Sequence, residues 1–204
     1  MIIDLHTHTT TSSLCSILTP MQLLQRAKAL GLDAVAVTDH GTLHGAQVAH
    51  ELGQRHGLLV LRGQEIHSSV GDVLVFGFPH DLGDGTDFFD LADGVHRAGG
   101  IVILAHPFRS GTQPVSSLAT ARPIRFRLDA IEVLNMNCSA EQNRAASDLA
   151  RKWRIPAVGG SDAHTVGWVG RYVTTFPRPV RDETDLIEAI RSGHGVAGAG
   201  ATRD

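Results

Sequence analysis

His6 and His8 are separated by one residue, directly after the apolar run 2–5. Residues two apart on an extended chain share a face. Two imidazoles there can reach one ion, and histidine is the commonest metal ligand. The pattern recurs along the chain. The run 34–38 leads into Asp39-His40, 58–61 into Glu65, 101–105 into His106, and 156–158 into Asp162 and His164. Each residue alone reads as a helix cap or a surface group; five apolar runs ending the same way do not. Five histidines with two carboxylates, Glu65 and Asp162, exceed the four ligands of one tetrahedral ion. Two or three divalent ions are therefore expected, with Glu65 as the bridge, because a carboxylate can span two ions and a neutral imidazole cannot. A ligand set of imidazoles and carboxylates suits Zn, Mn or Fe. Two such ions, about 3.5–4 Å apart, can hold a hydroxide and clamp the oxygens of a displacement at phosphorus.

The elements that must position these groups are short apolar runs rich in β-branched residues, at 2–5, 34–38, 58–61, 73–78, 101–105, 130–134, 156–158 and 172–176. Between several of them lie stretches with apolar residues three or four apart, which predict helices over 21–30, 43–56, 87–97, 140–153 and 183–192. Thr19-Pro20 reads as an N-cap followed by proline at the first helical position, and Gly31 as the stop. Such alternation predicts an α/β protein with a largely parallel sheet, whose active site lies at the C-terminal ends of the strands. An open doubly wound sheet and a closed barrel both fit. The Gly/Ala-rich segment 193–204 is expected to be a flexible tail.

Composition narrows the classes. The chain has 204 residues and a formal net charge of −3, so no basic excess exists to coat a polynucleotide. Twelve histidines against 5% aromatic residues is the unusual ratio. No apolar run approaches the roughly 20 residues of a membrane span, so no membrane partner is expected. No signal peptide is visible, and Cys15 and Cys138 form no disulfide framework, which predicts a reduced, cytoplasmic protein. One domain over 1–204 fits this length.

The motif set resembles the PHP superfamily, named for its polymerase and histidinol phosphatase members. The matching pieces are Asp4-Leu5-His6-Thr7-His8, Thr38-Asp39-His40, Glu65, Ala105-His106-Pro107 and Ser161-Asp162-Ala163-His164, in family order. Within it the chain looks most like the small stand-alone metal-dependent phosphoesterases. The resemblance implies a single-domain distorted (β/α)7 TIM-like barrel with a two- or three-metal site. Carried over by position, it implies that His6, His8, Glu65 and Asp162 hold one ion, Glu65 and His106 a second, and His40 and His164 a third. Two positions depart from the pattern. Ser13 stands where many relatives place an aspartate, which bears on the third ion, and Cys15 nearby reads either as a thiolate ligand or as an inert thiol. Asp72 stands where relatives often have a histidine, and reads either as a ligand of the second ion or as a turn residue.

Together these residues predict hydrolysis of a phosphate ester, a small phosphomonoester or nucleotide, by a metal-bound hydroxide. Arg109, three residues beyond His106, is the candidate phosphate anchor, since a guanidinium grips phosphate bidentately. Asp162 is the candidate for handling the proton. Nucleic acid fits only as a short strand end, and the loops 109–127 and 166–171 are expected to set specificity. Two other classes remain open: a hydrolase of C–N or C–O bonds on the same scaffold, and a non-catalytic metal-binding module of a larger assembly.

Overall fold

The computed structural model describes residues 1–109 and 122–200. Nine strands form one sheet: β1 (Ile2–Asp4), β2 (Ala34–Val37), β3 (Leu59–Ser68), β4 (Gly71–Phe76), β5 (Ile101–Leu104), β6 (Ala130–Leu134), β7 (Ala157–Gly159), β8 (Tyr172–Thr175) and β9 (Val196–Ala199). The helices are α1 (Pro20–Leu30), α2 (His44–His56), α3 (Phe88–Arg97), α4 (Arg122–Arg125), α5 (Ala140–Trp153) and α6 (Glu183–Arg191). Spatial order is β7-β6-β5-β4-β3-β2-β1-β8-β9. The pairs β1–β2, β2–β3, β5–β6 and β6–β7 are parallel. β4 is antiparallel to both neighbours and β8 to both of its own.

The strands are apolar on both faces because both are covered. On β2, Ala34 and Ala36 point inward while Val35 and Val37 meet the Leu23, Leu24 and Ala27 side of α1. On β5, Ile101 and Ile103 point inward while Val102 and Leu104 pack with Leu91 and Val95 of α3. Leu186, Ile187 and Ile190 of α6 join the inner cluster beside Ile3, Ile101, Ala130 and Phe176, so α6 plugs the end where the parallel strands begin. The opposite end, where those strands finish, is left to polar residues. The sheet is nearly closed. Between β7 and β8 no ladder forms; instead the Thr174 hydroxyl accepts from Gly159 N at 2.8 Å and contacts Gly159 O at 2.9 Å.

The expected α1 signals hold. Thr19 and Gln22 form a reciprocal capping box, and Gly31 ends the helix at φ 73°. Two expectations are corrected. The run at 58–61 extends to Ser68, because it pairs with β4 as an antiparallel hairpin without an intervening helix. The flexible tail expected over 193–204 is instead ordered over Val196–Ala199, which pairs with the outer edge of β8 from Thr175↔Val196 to Tyr172↔Ala199. An edge strand with unpaired backbone groups recruits such a partner, and its small side chains fit beside Gly159 of β7. Residues 201–204, and most of the loop 109–127, lie outside the described residues. Among the described residues, no helix is long and apolar enough to cross a membrane.

Candidate metal centre

The loops after β1 and β7 are tied together by Asp4. Its carboxylate accepts from His6 N at 3.3 Å, Ser161 N and Gly170 N at 2.8 Å, and Ser161 Oγ at 2.5 Å. Burial pushes it up to about 6 against those hydrogen bonds. Asp39 does the same for the loop after β2, accepting from Thr9 N, Thr9 Oγ1 and Ser13 Oγ at 2.6–2.7 Å. Glu65 sits within β3, three residues before its end. His106 and Asp162, just beyond β5 and β7, hold positive φ values of 26° and 52°. That conformation is costly for residues with a Cβ and clusters at functional sites.

Three histidines are oriented alike. A carboxylate or carbonyl oxygen only accepts, so His6 Nδ1 donates to Glu132 Oε1 at 3.1 Å and His164 Nδ1 to Asp162 O at 2.9 Å. The Ser13 hydroxyl gives its proton to Asp39 and therefore accepts from His8 Nδ1 at 3.2 Å. In its neutral form each ring is then left with its Nε2 lone pair for the site. His6 Nε2 and His8 Nε2 lie 3.0 Å apart, and Asp162 Oδ1 lies 3.4 and 3.2 Å from them. Zn–N bonds of about 2.0–2.1 Å set neighbouring ligand atoms roughly 3.3 Å apart, so this triangle has the size of one face of a ligand polyhedron. Glu65 straddles two groups. Its Oε2 is 3.1 Å from His8 Nε2 and 3.3 Å from His40 Nδ1, while its Oε1 is 2.9 Å from His106 Nε2.

Four sets of ligand atoms are close enough to share an ion: His6 with His8 and Asp162; Glu65 with Asp72 and His106; His8 with His40 and His164; and His6 with His106 and Glu132. All eight expected ligand positions are thus brought together, Asp72 included. Its Oδ2 is 3.9 Å from His106 Nδ1. Arg109 spans the mouth, 3.2 Å from both Asp72 Oδ2 and Asp162 Oδ2. Within the cluster, Asp162 Oδ1 and His106 Nδ1 are buried with no hydrogen-bond partner among the described residues. A buried polar atom left so is expensive, and a divalent ion would satisfy it. The donor set and these orphaned atoms fit divalent metal.

Charge and burial compete throughout the cluster. Burial alone would push Glu65 and Asp162 up, but His6 and the rings beside them hold both low. Burial works against protonated His6 and His8, and the surrounding carboxylates raise both. Burial lowers His40 and His164, leaving neutral imidazoles suited to ligation.

Glu132 was not legible as a site residue, yet it is buried and accepts from His6 Nδ1, His106 N and Asn135 Nδ2. The signal was present, since a lone carboxylate in the apolar strand Ala-Ile-Glu-Val-Leu needs a polar partner. Asn137 also donates to Asp162 Oδ2 at 2.9 Å. Ser13 is engaged in holding His8 rather than free to ligate. Cys15 is exposed at the rim, its Sγ 3.4 Å from His40 Nε2. His67 is largely exposed and bonds Asp72 Oδ1 at 2.7 Å. Away from the cluster, His96 of α3 bonds Asp129 at 2.8 Å.

A nearly closed α/β barrel with a cluster of histidines and carboxylates at the finishing end of its strands defines a class able to bind divalent metal. The chain belongs to the PHP domain family, whose model matches residues 4–115; a second model, described as PHP-associated, matches 140–194. It is 28% identical over 141 residues to an uncharacterized protein of Methanocaldococcus jannaschii, covering 65% of this chain and 80% of that one. Over 66 residues it is 41% identical to the phosphoribosyl 1,2-cyclic phosphate 1,2-diphosphodiesterase of Eggerthella lenta, covering 32% of this chain and 24% of that enzyme. Its fold matches the crystal structure of a proposed metal-dependent phosphoesterase from Bifidobacterium adolescentis at a TM-score of 0.67 and 20% identity, covering 92% of this chain and 95% of that one.

Proposed function

We propose that this chain is a metal-dependent phosphoesterase acting on small phosphomonoesters or nucleotides with two or three divalent ions, Mn, Zn or Fe. The observation that carries the proposal is the triangle of His6, His8 and Asp162 joined through Glu65 to His106 and Asp72. In this reading His6, His8, Glu65 and Asp162 hold one ion, Glu65, His106 and Asp72 a second, and His40 and His164 a third. Divalent ions in such a site lower the pKa of water and neutralise charge on phosphoryl oxygens.

The chain's own groups do the rest. Glu132 and Ser13 fix the tautomers of His6 and His8, which keeps both Nε2 atoms as acceptors. Arg109 presents a planar fork of donors at the mouth, where a phosphate would sit, and its stabilisation grows as negative charge develops. In this reading Asp162, besides ligating through Oδ1, helps to handle the proton released from water. Support for phosphorus over carbon comes from that guanidinium and from the likeness to the Eggerthella lenta diphosphodiesterase. The proposal includes a single domain, supported by one sheet running through both family-model segments. It also places the protein in the cytoplasm, supported by two free cysteines.

The test is turnover of 4-nitrophenyl phosphate and a nucleotide panel by protein loaded with Mn or Zn. Hydrolysis that is inhibited by inorganic phosphate and lost in Asp162→Ala is expected. Loaded protein that hydrolyses no phosphate ester would overturn the proposal, and hydrolysis of amides instead would move it to the C–N class.

A further inference from the structure

Beside the metal centre lies a cleft of about 640 Å³, within the range of small-ligand sites. Arg109 and His164 line it, and both also belong to the cluster, so the cleft opens directly onto the place where a phosphate would sit. Its other walls are of a different character. Ile17 and Trp168 line it from the loops after β1 and β7, and Asn137 and Thr165 add polar edges. Three contacts fix the two apolar walls beside His164. Ile17 N donates to His164 O at 3.0 Å, Trp168 N donates to Thr165 O at 3.2 Å, and the Trp168 indole meets the His164 ring edge-on at 6.4 Å. Trp168 is held on its inner side by the cluster that contains Leu18, Leu23 and Val169. Ile17 is 74% exposed, an apolar group at the mouth of an otherwise charged site.

An isoleucine left in water beside a catalytic cluster has no structural use that the packing explains. A half-buried indole with its ring fixed is a platform for a flat apolar group. We propose that Ile17 and Trp168 are the specificity-determining residues, and that they clamp a planar ring carried by the leaving alcohol of a phosphate monoester. A single ring is the occupant rather than a strand of successive bases, because binding along a strand needs several platforms in a row. Among the described residues, Trp168 is the aromatic side chain lining this cleft. Asn137 and Thr165 would read the polar edge of the ring. The inference rests on the phosphoesterase reading above.

The test separates the two. Kinetics are measured on phenyl phosphate and glycerol 1-phosphate for Trp168→Ala, Trp168→Phe and Ile17→Ser. Binding is followed separately, in metal-free Trp153→Phe protein, by the emission of Trp168 on titration with phenylphosphonate or methylphosphonate. The expected result is a KM for phenyl phosphate raised about tenfold more than that for glycerol 1-phosphate in Trp168→Ala. Ile17→Ser should go the same way, and Trp168→Phe should recover most of the loss. Emission should respond to phenylphosphonate at lower concentration than to methylphosphonate. Equal losses on both esters, or equal response to both phosphonates, overturns the clamp. If no ester is turned over, the phosphoesterase reading fails and the emission titration alone decides whether a ring binds.

Discussion

Glu132 Oε1 lies 3.1 Å from His6 Nδ1, in a strand otherwise buried among apolar residues. The pair determines which nitrogen of His6 faces the cluster. Glu132 also accepts from His106 N and Asn135 Nδ2, so its lone pairs are used in holding three other groups. Carboxylates behind a ligating histidine typically account for 10–100-fold in metal affinity. Glu132→Gln should therefore weaken binding of Mn or Zn by about tenfold or more, measured by isothermal titration, with little change in far-UV circular dichroism. Unchanged affinity would show that His6 is held by packing alone.

Gly160 is the second support of His6. A Cβ at this position would stand 2.5 Å from His6 Cβ and 2.9 Å from both His6 N and Glu132 Oε1. Two of those atoms are fixed by the β1 connection and the third by its hydrogen bonds, so the backbones must part. Overpacking of this kind costs about 1–3 kcal/mol. Gly160→Ala should lose stability in that range by urea denaturation and should bind metal more weakly. A variant of native stability and affinity would mean that the loop after β7 can move away from β1.

Arg109 joins Asp72 and Asp162, two carboxylates of different ligand groups. A lysine cannot span both while presenting a planar fork to phosphate. Arg109→Lys and Arg109→Ala should both lose kcat/KM, the alanine by about 10²-fold, the scale of removing one donor to a developing oxyanion. Retained activity in Arg109→Ala would return the residue to a surface role.

Much of this site was legible because its residues sit at strand ends. His6, His8, His40, His106 and His164 follow apolar runs whose faces the sheet fixes, so position along the chain translated into position in space. Asp72 was legible only as an alternative, since nothing in the sequence says that β3 continues to Ser68 and folds back; that hairpin brings Asp72 beside His106. Glu132 escaped because it lies inside its strand, where attention to strand ends does not reach. β9 escaped because Gly/Ala composition reports low side-chain mass, and edge pairing is made by backbone.

The far end of the barrel supplies a pH-dependent test away from the metal centre. Glu183 opens α6, the helix that plugs the barrel, and Arg62 reaches it from β3. Arg62 N and Nε both donate to Glu183 Oε1 at 2.8 Å, and Nη2 donates to Oε2 at 3.0 Å. Burial by itself would raise the Glu183 carboxyl, but these donors hold it below its ordinary value of 4.5. The folded state therefore binds that proton less readily than the unfolded chain. The stabilisation is fully present above pH 4.5 and is lost as pH falls through the lowered folded value. Arg62 is 40% exposed, so solvent screens the pair and its worth is about 1 kcal/mol. Glu183→Gln should destabilise the protein by about that amount at pH 7, and the gap between variant and parent should narrow on acidification below pH 4.5. Denaturant melts of both proteins at pH 7 and at pH 3.5 measure it. A gap that is the same at both values would show that α6 is held by Leu186, Ile187 and Ile190 without help from the ion pair.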